Sequence, residues 1–276
     1  MPPAAEARGL RVTRAVAAGF DGHADTALHP ELRTFVGDLV RPYGVPLRED
    51  LLDGGVGHDF GLMAEGLFGK VLAPDEPADL LILAFSSPDV RPGAPTALYL
   101  SRHCPGEPTA FAVCDQGSAA AFTALRIAAA HHRTGGCRRA VIVLAEQSVL
   151  HYEPVEPVVL PELHRAVVLV CEEQAGEGMR VRQQEQPDRS AALDSALAAQ
   201  RELGPGAELL LASELAVELG SGTARAAVGA APPGQPFTGL WTLLADRIAR
   251  GPQTGGPLLL ADHDRRLGRL STLSLP

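Results

Sequence analysis

The sequence contains no asparagine, and only one histidine, His263, lies beyond His164. A catalytic site that needs an asparagine side chain is therefore excluded, and a histidine from the last part of the chain can only be His263. The four cysteines, at positions 104, 114, 137 and 171, form no C-x-x-C pair. Scattered thiols of this kind are typical of a reduced intracellular protein and argue against a disulfide scaffold or a zinc site.

Long apolar runs and excess positive charge are also missing. No apolar run approaches the roughly 18 residues that a membrane-spanning helix needs, and the first twelve residues lack the apolar centre of a signal peptide. Acidic residues number 33 against 24 basic ones, for a formal charge of −9. We therefore expect a soluble, cytoplasmic protein that binds neither nucleic acid nor an anionic membrane.

The chain does have enough apolar sequence for a large core. Of its 276 residues, 46% are hydrophobic, although only 4% are aromatic. Continuous apolar runs at residues 79–85 and 139–145 are typical of strands covered on both faces. Strands and helices alternate from residue 11 to 171, and the same order recurs in shorter form from 179 to 275. This pattern predicts largely parallel sheets covered by helices, in two similar halves packed together.

The most informative stretch is residues 109–131, TAFAVCDQGSAAAFTALRIAAAH. It predicts a strand over 110–113, a tight turn over 114–117 and a helix that opens at Ser118, where serine is a favourable N-cap. The helix is rich in alanine and poor in polar side chains, so we expect it to be buried. Because a helix N-terminus favours developing negative charge, this is a suitable place for a nucleophile.

Several segments resemble the thiolase-fold condensing enzymes, and specifically the ketoacyl-ACP synthase III branch. The matching segments are DLLILAFSSPDVRPG, AFAVCDQGSAAAFTAL, GGCRRAVIVLAE, and, near the end, PFTGLWTLLADRIARG followed by GPLLLADHD. The resemblance implies an α/β fold, a single thiolase-like α/β/α/β/α sandwich built from two repeated halves. Residues 1–176 would form the N-terminal half and residues 177–276 a shortened C-terminal half.

Members of that family use a cysteine to take the acyl group, with histidine and asparagine supporting decarboxylative condensation. Counting back from the helix places Ser118 at the nucleophile position, whereas counting forward from Phe111 places Gly117 there. Cys114 lies several residues too early to be the family nucleophile. The chain therefore departs from the family pattern at its first catalytic position.

The other two catalytic positions of the family also differ in this chain. The histidine position falls on Ser213 and Glu214, and the asparagine position falls within PPGQPF, residues 232–237. Because the chain has no asparagine and no histidine between His164 and His263, realignment does not restore the triad.

Ser118 has two interpretations. In the first it is an N-cap residue of a buried helix. In the second it accepts an acyl group, which requires a nearby general base because a serine hydroxyl is weakly acidic. Loss of general-base assistance typically costs on the order of 10²–10⁴-fold in rate. Only Glu214 or His263 could supply that base, if the fold brings one of them within reach.

The remaining candidates have simpler interpretations. Asp262, His263 and Asp264 suggest a metal site or an acid–base pair, but three consecutive residues alternate sides, so we predict a surface turn. His131 and His132 end a helix, where their charge is favourable. The Gly-rich residues 220–223 lack the lysine of a phosphate loop and predict a turn. Cys114 is interpreted as inert packing. We expect no metal and no cofactor.

The resemblance implies a function for a chain without the triad. We expect a degenerate, non-catalytic ketosynthase III-like subunit that pairs with a catalytic ketosynthase, or with itself, in fatty-acid-like or polyketide-like metabolism. The small inactive subunits of heterodimeric condensing enzymes are also shortened and also lack the triad. Family dimers join through the strand that here comprises Ala110, Phe111, Ala112 and Val113. The alternative is an acyltransferase in which Ser118 moves an acyl group from acyl-carrier protein or acyl-CoA.

Overall fold

The computed structural model describes residues 7–90, 95–219, 228–251 and 256–276. The predicted turn at residues 220–223 lies outside these ranges. The elements of the first half are β1 (Arg8–Phe20), α1 (Pro30–Val40), α2 (Glu49–Asp53), α3 (Phe60–Val71), β2 (Leu80–Phe85), α4 (Thr96–His103), β3 (Thr109–Val113), α5 (Ala119–Arg133), β4 (Arg139–Glu146) and β5 (His164–Ala175). Those of the second half are β6 (Arg180–Glu185), α6 (Arg189–Glu202), β7 (Glu208–Leu211), α7 (Ser213–Ala216), β8 (Val228–Ala230), α8 (Gly239–Ala249), β9 (Leu258–Asp264) and β10 (Arg269–Leu275).

The strands form two five-stranded sheets with equivalent strand orders. The first sheet has the order β1-β5-β4-β2-β3 and the second β6-β10-β9-β7-β8. In the first sheet β2 is parallel to both β3 and β4, whereas β5 is antiparallel to β4 and β1. The second sheet repeats this arrangement. Both sheets are therefore mixed, and the prediction of largely parallel sheets was wrong because the last strand of each half returns as a hairpin partner.

Three layers of helices enclose the two sheets. Helices α3 and α4 cover the outer face of the first sheet through residues such as Leu81, Leu83 and Val143. Helices α6 and α7 cover the outer face of the second sheet through Leu209 and Leu259. Helices α5 and α8 lie between the sheets, in the largest core cluster. This is the α/β/α/β/α order that the sequence predicted.

Helix α5 is buried over most of its length, as its composition predicted. Residues 119–125 and Ala128 are buried, whereas Arg126 is exposed and the last turn is half-buried up to the exposed Arg133. Phe122 of α5 contacts Trp241 of α8 edge-on, with ring centroids 4.9 Å apart. The two central helices are thus joined by an aromatic pair in the middle of the molecule.

Strand β3 lies at the end of the first sheet. It pairs with β2 on one side, and within the described residues no strand pairs with its other side. Ala112 is exposed, and Ala110 and Phe111 are half-buried. An edge strand of this kind presents unpaired backbone groups that another chain can use.

In the part of the chain that the structure describes, none of the helices has the length and apolar composition needed to span a membrane.

Candidate active-site cavity

The turn before α5 fixes the position of Ser118. Strand β3 ends at Val113, and the chain reverses through Asp115 and Gly117, both of which have positive φ angles, +60° and +50°. Glycine is favoured at such an angle because it lacks a Cβ atom. Ser118 then occupies the N-cap position of α5, but its side chain makes no capping hydrogen bond. Ser118 is thus the N-cap residue of a buried helix, as predicted, but its hydroxyl does not cap the helix.

A cavity of about 560 Å³ lies at the N-terminus of α5. Three sequence positions that correspond, by the resemblance, to the catalytic positions of the condensing enzymes lie far apart along the chain but meet in this cavity. Gly117 and Ser118 line it from the turn before α5, Ser213 and Glu214 from the start of α7, and Pro236 and Phe237 from the segment before α8. The structure thus brings all three predicted positions to one place.

Asp262 and Asp264 also face this cavity, which the sequence did not predict. The predicted surface turn at 262–264 was wrong: these residues are the end of β9, and Asp262 is buried. Because side chains alternate along a strand, Asp262 and Asp264 share the face that points between the two sheets. The Asp264 carboxylate accepts a hydrogen bond from the Ser118 backbone amide, with a distance of 2.9 Å between Oδ2 and N.

The buried carboxyl of Asp262 lines the cavity together with Ser118. Burial is the largest cause that raises its pKa, to about 6 from 3.8. A hydrogen bond from Ser118 acts in the opposite direction, and the nearby charge of Asp264 raises the pKa further. Asp262 is therefore ionised above about pH 6 and is the carboxylate next to the serine hydroxyl.

The two residues considered as general bases, Glu214 and His263, also belong to the lining of this cavity, and each side chain has another partner. The Glu214 carboxylate lies 3.9 Å from the guanidinium of Arg189 on α6. His263 alternates with its neighbours onto the outer face of the sheet, where its Nε2 bonds the Gln186 carbonyl oxygen at 2.6 Å. Among the described residues, no hydrogen bond joins either of these side chains to Ser118.

Cys114 does not resemble an activated nucleophile. Its thiol is half-buried and donates to the Asp115 carboxylate at 3.3 Å. Burial, followed by the interaction with Asp115, raises the pKa of Cys114, so less thiolate forms at neutral pH.

Across the described ranges, no group of three histidine, cysteine or acidic residues is arranged to hold a metal ion.

Glu146, at the end of β4, has a role that the sequence did not reveal. Its buried carboxylate accepts hydrogen bonds from the amides of Phe237 and Thr238, both at 3.0 Å, and from the Thr238 hydroxyl. Burial raises the pKa of Glu146, and the Thr238 hydroxyl opposes that shift. Strands β4 and β9 are equivalent, and the two halves have the same contact. In each half, a carboxylate at the end of this strand binds the N-terminus of the other half's central helix.

Replacing Asp262 with asparagine is expected to change the pH dependence of stability. A carboxyl whose pKa is raised from 3.8 to about 6 stabilises the fold below pH 3.8, and this contribution is lost as the pH rises through 6. At ~1.4 kcal/mol per pKa unit, the loss amounts to about 3 kcal/mol. The free energy of unfolding of Asp262→Asn, relative to the unsubstituted chain, should therefore rise by up to that amount between pH 4 and pH 7.

Urea unfolding at several pH values measures this difference. Any hydrogen bond that asparagine fails to make with Ser118 changes the free energy by the same amount at each pH, so only the slope is diagnostic. Parallel profiles for the two chains would show that Asp262 titrates normally in the fold.

Comparison with known structures agrees with this architecture. The 3-oxoacyl-[acyl-carrier-protein] synthase III of Aquifex aeolicus VF5 superimposes with a TM-score of 0.63 at 13% identity, over 97% of this chain and 99% of that one. The priming β-ketosynthase of the R1128 polyketide biosynthetic pathway gives 0.64 at 15% identity, over 98% and 96% of the two chains. The chain has the thiolase-like fold.

Other thiolase-like structures extend the comparison. ChlB3, described as an acyltransferase, gives a TM-score of 0.63 at 16% identity, over 96% of this chain and 97% of its own. No protein-family model and no curated protein sequence matches the chain. At identities this low, the superpositions show the fold alone.

Proposed function

We propose that this chain is a non-catalytic ketosynthase III-like subunit that pairs with an active ketosynthase in fatty-acid-like or polyketide-like metabolism. The observation that carries the proposal is the composition of the cavity. The positions at which the similar enzymes use cysteine, histidine and asparagine converge there, and they hold Ser118, Ser213 with Glu214, and Pro236 with Phe237. A nucleophile–base pair of the usual kind is not among them.

The cavity electrostatics support the same conclusion. Acyl transfer through Ser118 would form an oxyanion, which hydrogen-bond donors must stabilise. The Ser118 amide already donates to the Asp264 carboxylate, and Asp262 places a second carboxylate close by. Two acidic groups at this point oppose the development of negative charge.

The open edge of β3 supports pairing with another chain. In this role the subunit would complete the partner's fold and help to form its acyl pocket or the docking surface for acyl-carrier protein or acyl-CoA. A catalytic ketosynthase with its triad intact is the partner that would give such a chain a function. A second copy of the same chain would use the same edge.

The test is co-expression with a ketosynthase of the same organism that keeps its catalytic triad. We expect the two chains to co-purify and the complex to turn over its acyl substrate at an unchanged rate when Ser118 is replaced with alanine. A loss of turnover of 10²-fold or more in Ser118→Ala, on the order expected for a lost catalytic group, would refute the non-catalytic role.

An acyltransferase remains the second candidate, and one observation favours it. Ser118 opens into the cavity next to Asp262, which is ionised at neutral pH and can accept a proton. The similar fold of ChlB3, described as an acyltransferase, adds to this candidate. If it is correct, incubation with acyl-CoA or acyl-carrier protein adds an acyl mass to Ser118, and Ser118→Ala abolishes it.

A further inference from the structure

The Asp264 carboxylate occupies the position that an acyl oxyanion would need. Its Oδ2 atom accepts from the Ser118 amide at 2.9 Å, and its Oδ1 atom accepts from the Leu267 amide at 2.9 Å. A Cβ atom at position 117 would overlap Oδ2, so Gly117 leaves the space into which the carboxylate fits. The Ser118 amide, at the N-terminus of α5, is thus already hydrogen-bonded to a carboxylate of the same chain.

The equivalent contact in the other half, between Glu146 and the start of α8, differs from the Asp264 contact in its burial and in its number of donors. Glu146 is 1% exposed and binds three donors at the start of α8, so it is part of the buried core. Asp264 is only partly buried, accepts a single bond from α5, and faces a cavity of about 560 Å³ with a serine hydroxyl beside it. The Glu146 contact stabilises a helix, whereas the Asp264 contact also covers a reactive position.

We propose that the contact between Asp264 and the Ser118 amide is autoinhibitory. It occupies the donor that would stabilise an oxyanion and so keeps Ser118 unreactive toward acyl donors. With the contact removed, the Ser118 oxygen attacks the carbonyl carbon of an activated ester. The new Oγ–acyl bond forms as the bond to the leaving alcohol breaks, the leaving group departs as its anion, and the serine proton passes to the Asp262 carboxylate.

The inference rests on the proposed function in one respect, because it takes the unsubstituted chain to be unreactive. Its test uses p-nitrophenyl acetate, with p-nitrophenolate as the leaving group. Mass spectrometry of the intact chain and of its peptides measures acetylation at Ser118. In Asp264→Ala we expect the rate to increase on the order of 10²-fold, the reverse of what removal of one oxyanion donor typically costs.

Matched variants separate the contact from general effects. Asp264→Asn retains an oxygen that can accept from the Ser118 amide, so it should stay within about tenfold of the unsubstituted chain. Asp188→Ala removes an exposed carboxylate that caps α6 through the Ala191 amide, far along the chain from Ser118, and should leave acetylation unchanged. The double variant Asp264→Ala/Ser118→Ala should lose the acetyl mass at position 118. Any acetylation that it still shows measures the reaction of other groups.

The rate of the double variant is the background that separates the outcomes. If folded Asp264→Ala and the unsubstituted chain both react no faster than this background, the autoinhibitory contact is refuted while the non-catalytic function stands. If both react at Ser118 equally and well above the background, the autoinhibitory contact and the non-catalytic function are both refuted in favour of the acyltransferase. Asp264→Ser, which retains an acceptor for the Leu267 amide, replaces Asp264→Ala if the latter fails to fold, and the same comparison applies.

Discussion

Replacing Trp241 with alanine is expected to lower the free energy of unfolding by about 3–5 kcal/mol, the usual cost of removing a large aromatic side chain from a core. Trp241 is 1% exposed and packs edge-on against Phe122 between the two sheets. Urea unfolding measures the loss directly.

The matched control for this prediction is Tyr43→Ala, which removes an aromatic side chain that is 77% exposed. We expect the free energy of unfolding to change by no more than about 0.5 kcal/mol, because surface substitutions seldom do more. If Trp241→Ala costs less than about 1 kcal/mol, the two halves are not held together through α5 and α8.

The sequence was sufficient to predict the elements because each has a strong local signal. The apolar run at 79–85 corresponds to β2, and the run at 139–145 to β4. The second run of alternating elements was predicted to end at residue 275, where β10 ends. The first run was predicted to end at residue 171, but β5 continues to Ala175 because it pairs over its whole length with β1, and long-range pairing of that kind has no local sequence signal.

The site was less predictable, because its chemistry depends on contacts between distant segments. The alanine-rich helix located Ser118, and the family pattern located Ser213, Glu214 and residues 232–237. The acidic residues at the end of β9 were assigned to a turn, since polar residues after an apolar run usually indicate one. They belong to the strand because its hydrogen bonds to β10 continue as far as Asp264, opposite Arg269.

The alternation noted in the sequence nevertheless contained the missing information. Two aspartates separated by one residue on a strand share a face, whereas the histidine between them points to the other side. What the sequence could not provide was the partner of that face, the N-terminus of a helix more than 140 residues earlier in the chain. Contacts between the two halves are set by how the sheets stack, and no local pattern encodes them.

Replacing Ala112 with aspartate is expected to prevent pairing through β3 while leaving the isolated chain folded. Ala112 lies on the edge strand opposite Leu83 and is exposed in the single chain, so the carboxylate can remain hydrated there. In an assembly that extends the sheet at β3, the carboxylate would be buried without a partner, at a cost of about 2–5 kcal/mol. That corresponds to a dissociation constant raised by roughly 30-fold to several thousand-fold.

The fold supplies its own control for this experiment. Strand β8 is the equivalent edge of the second sheet, and Ala230 lies opposite Leu211 there as Ala112 lies opposite Leu83. Ala230 is also exposed, so Ala230→Asp makes the same chemical change on the other edge. Sedimentation of the chain, alone and with the co-expressed ketosynthase, should show dissociation for Ala112→Asp and none for Ala230→Asp. The reverse result would show that the interface is at β8 and not at β3. The partner would then lie against the second sheet, away from the strand that leads into Ser118.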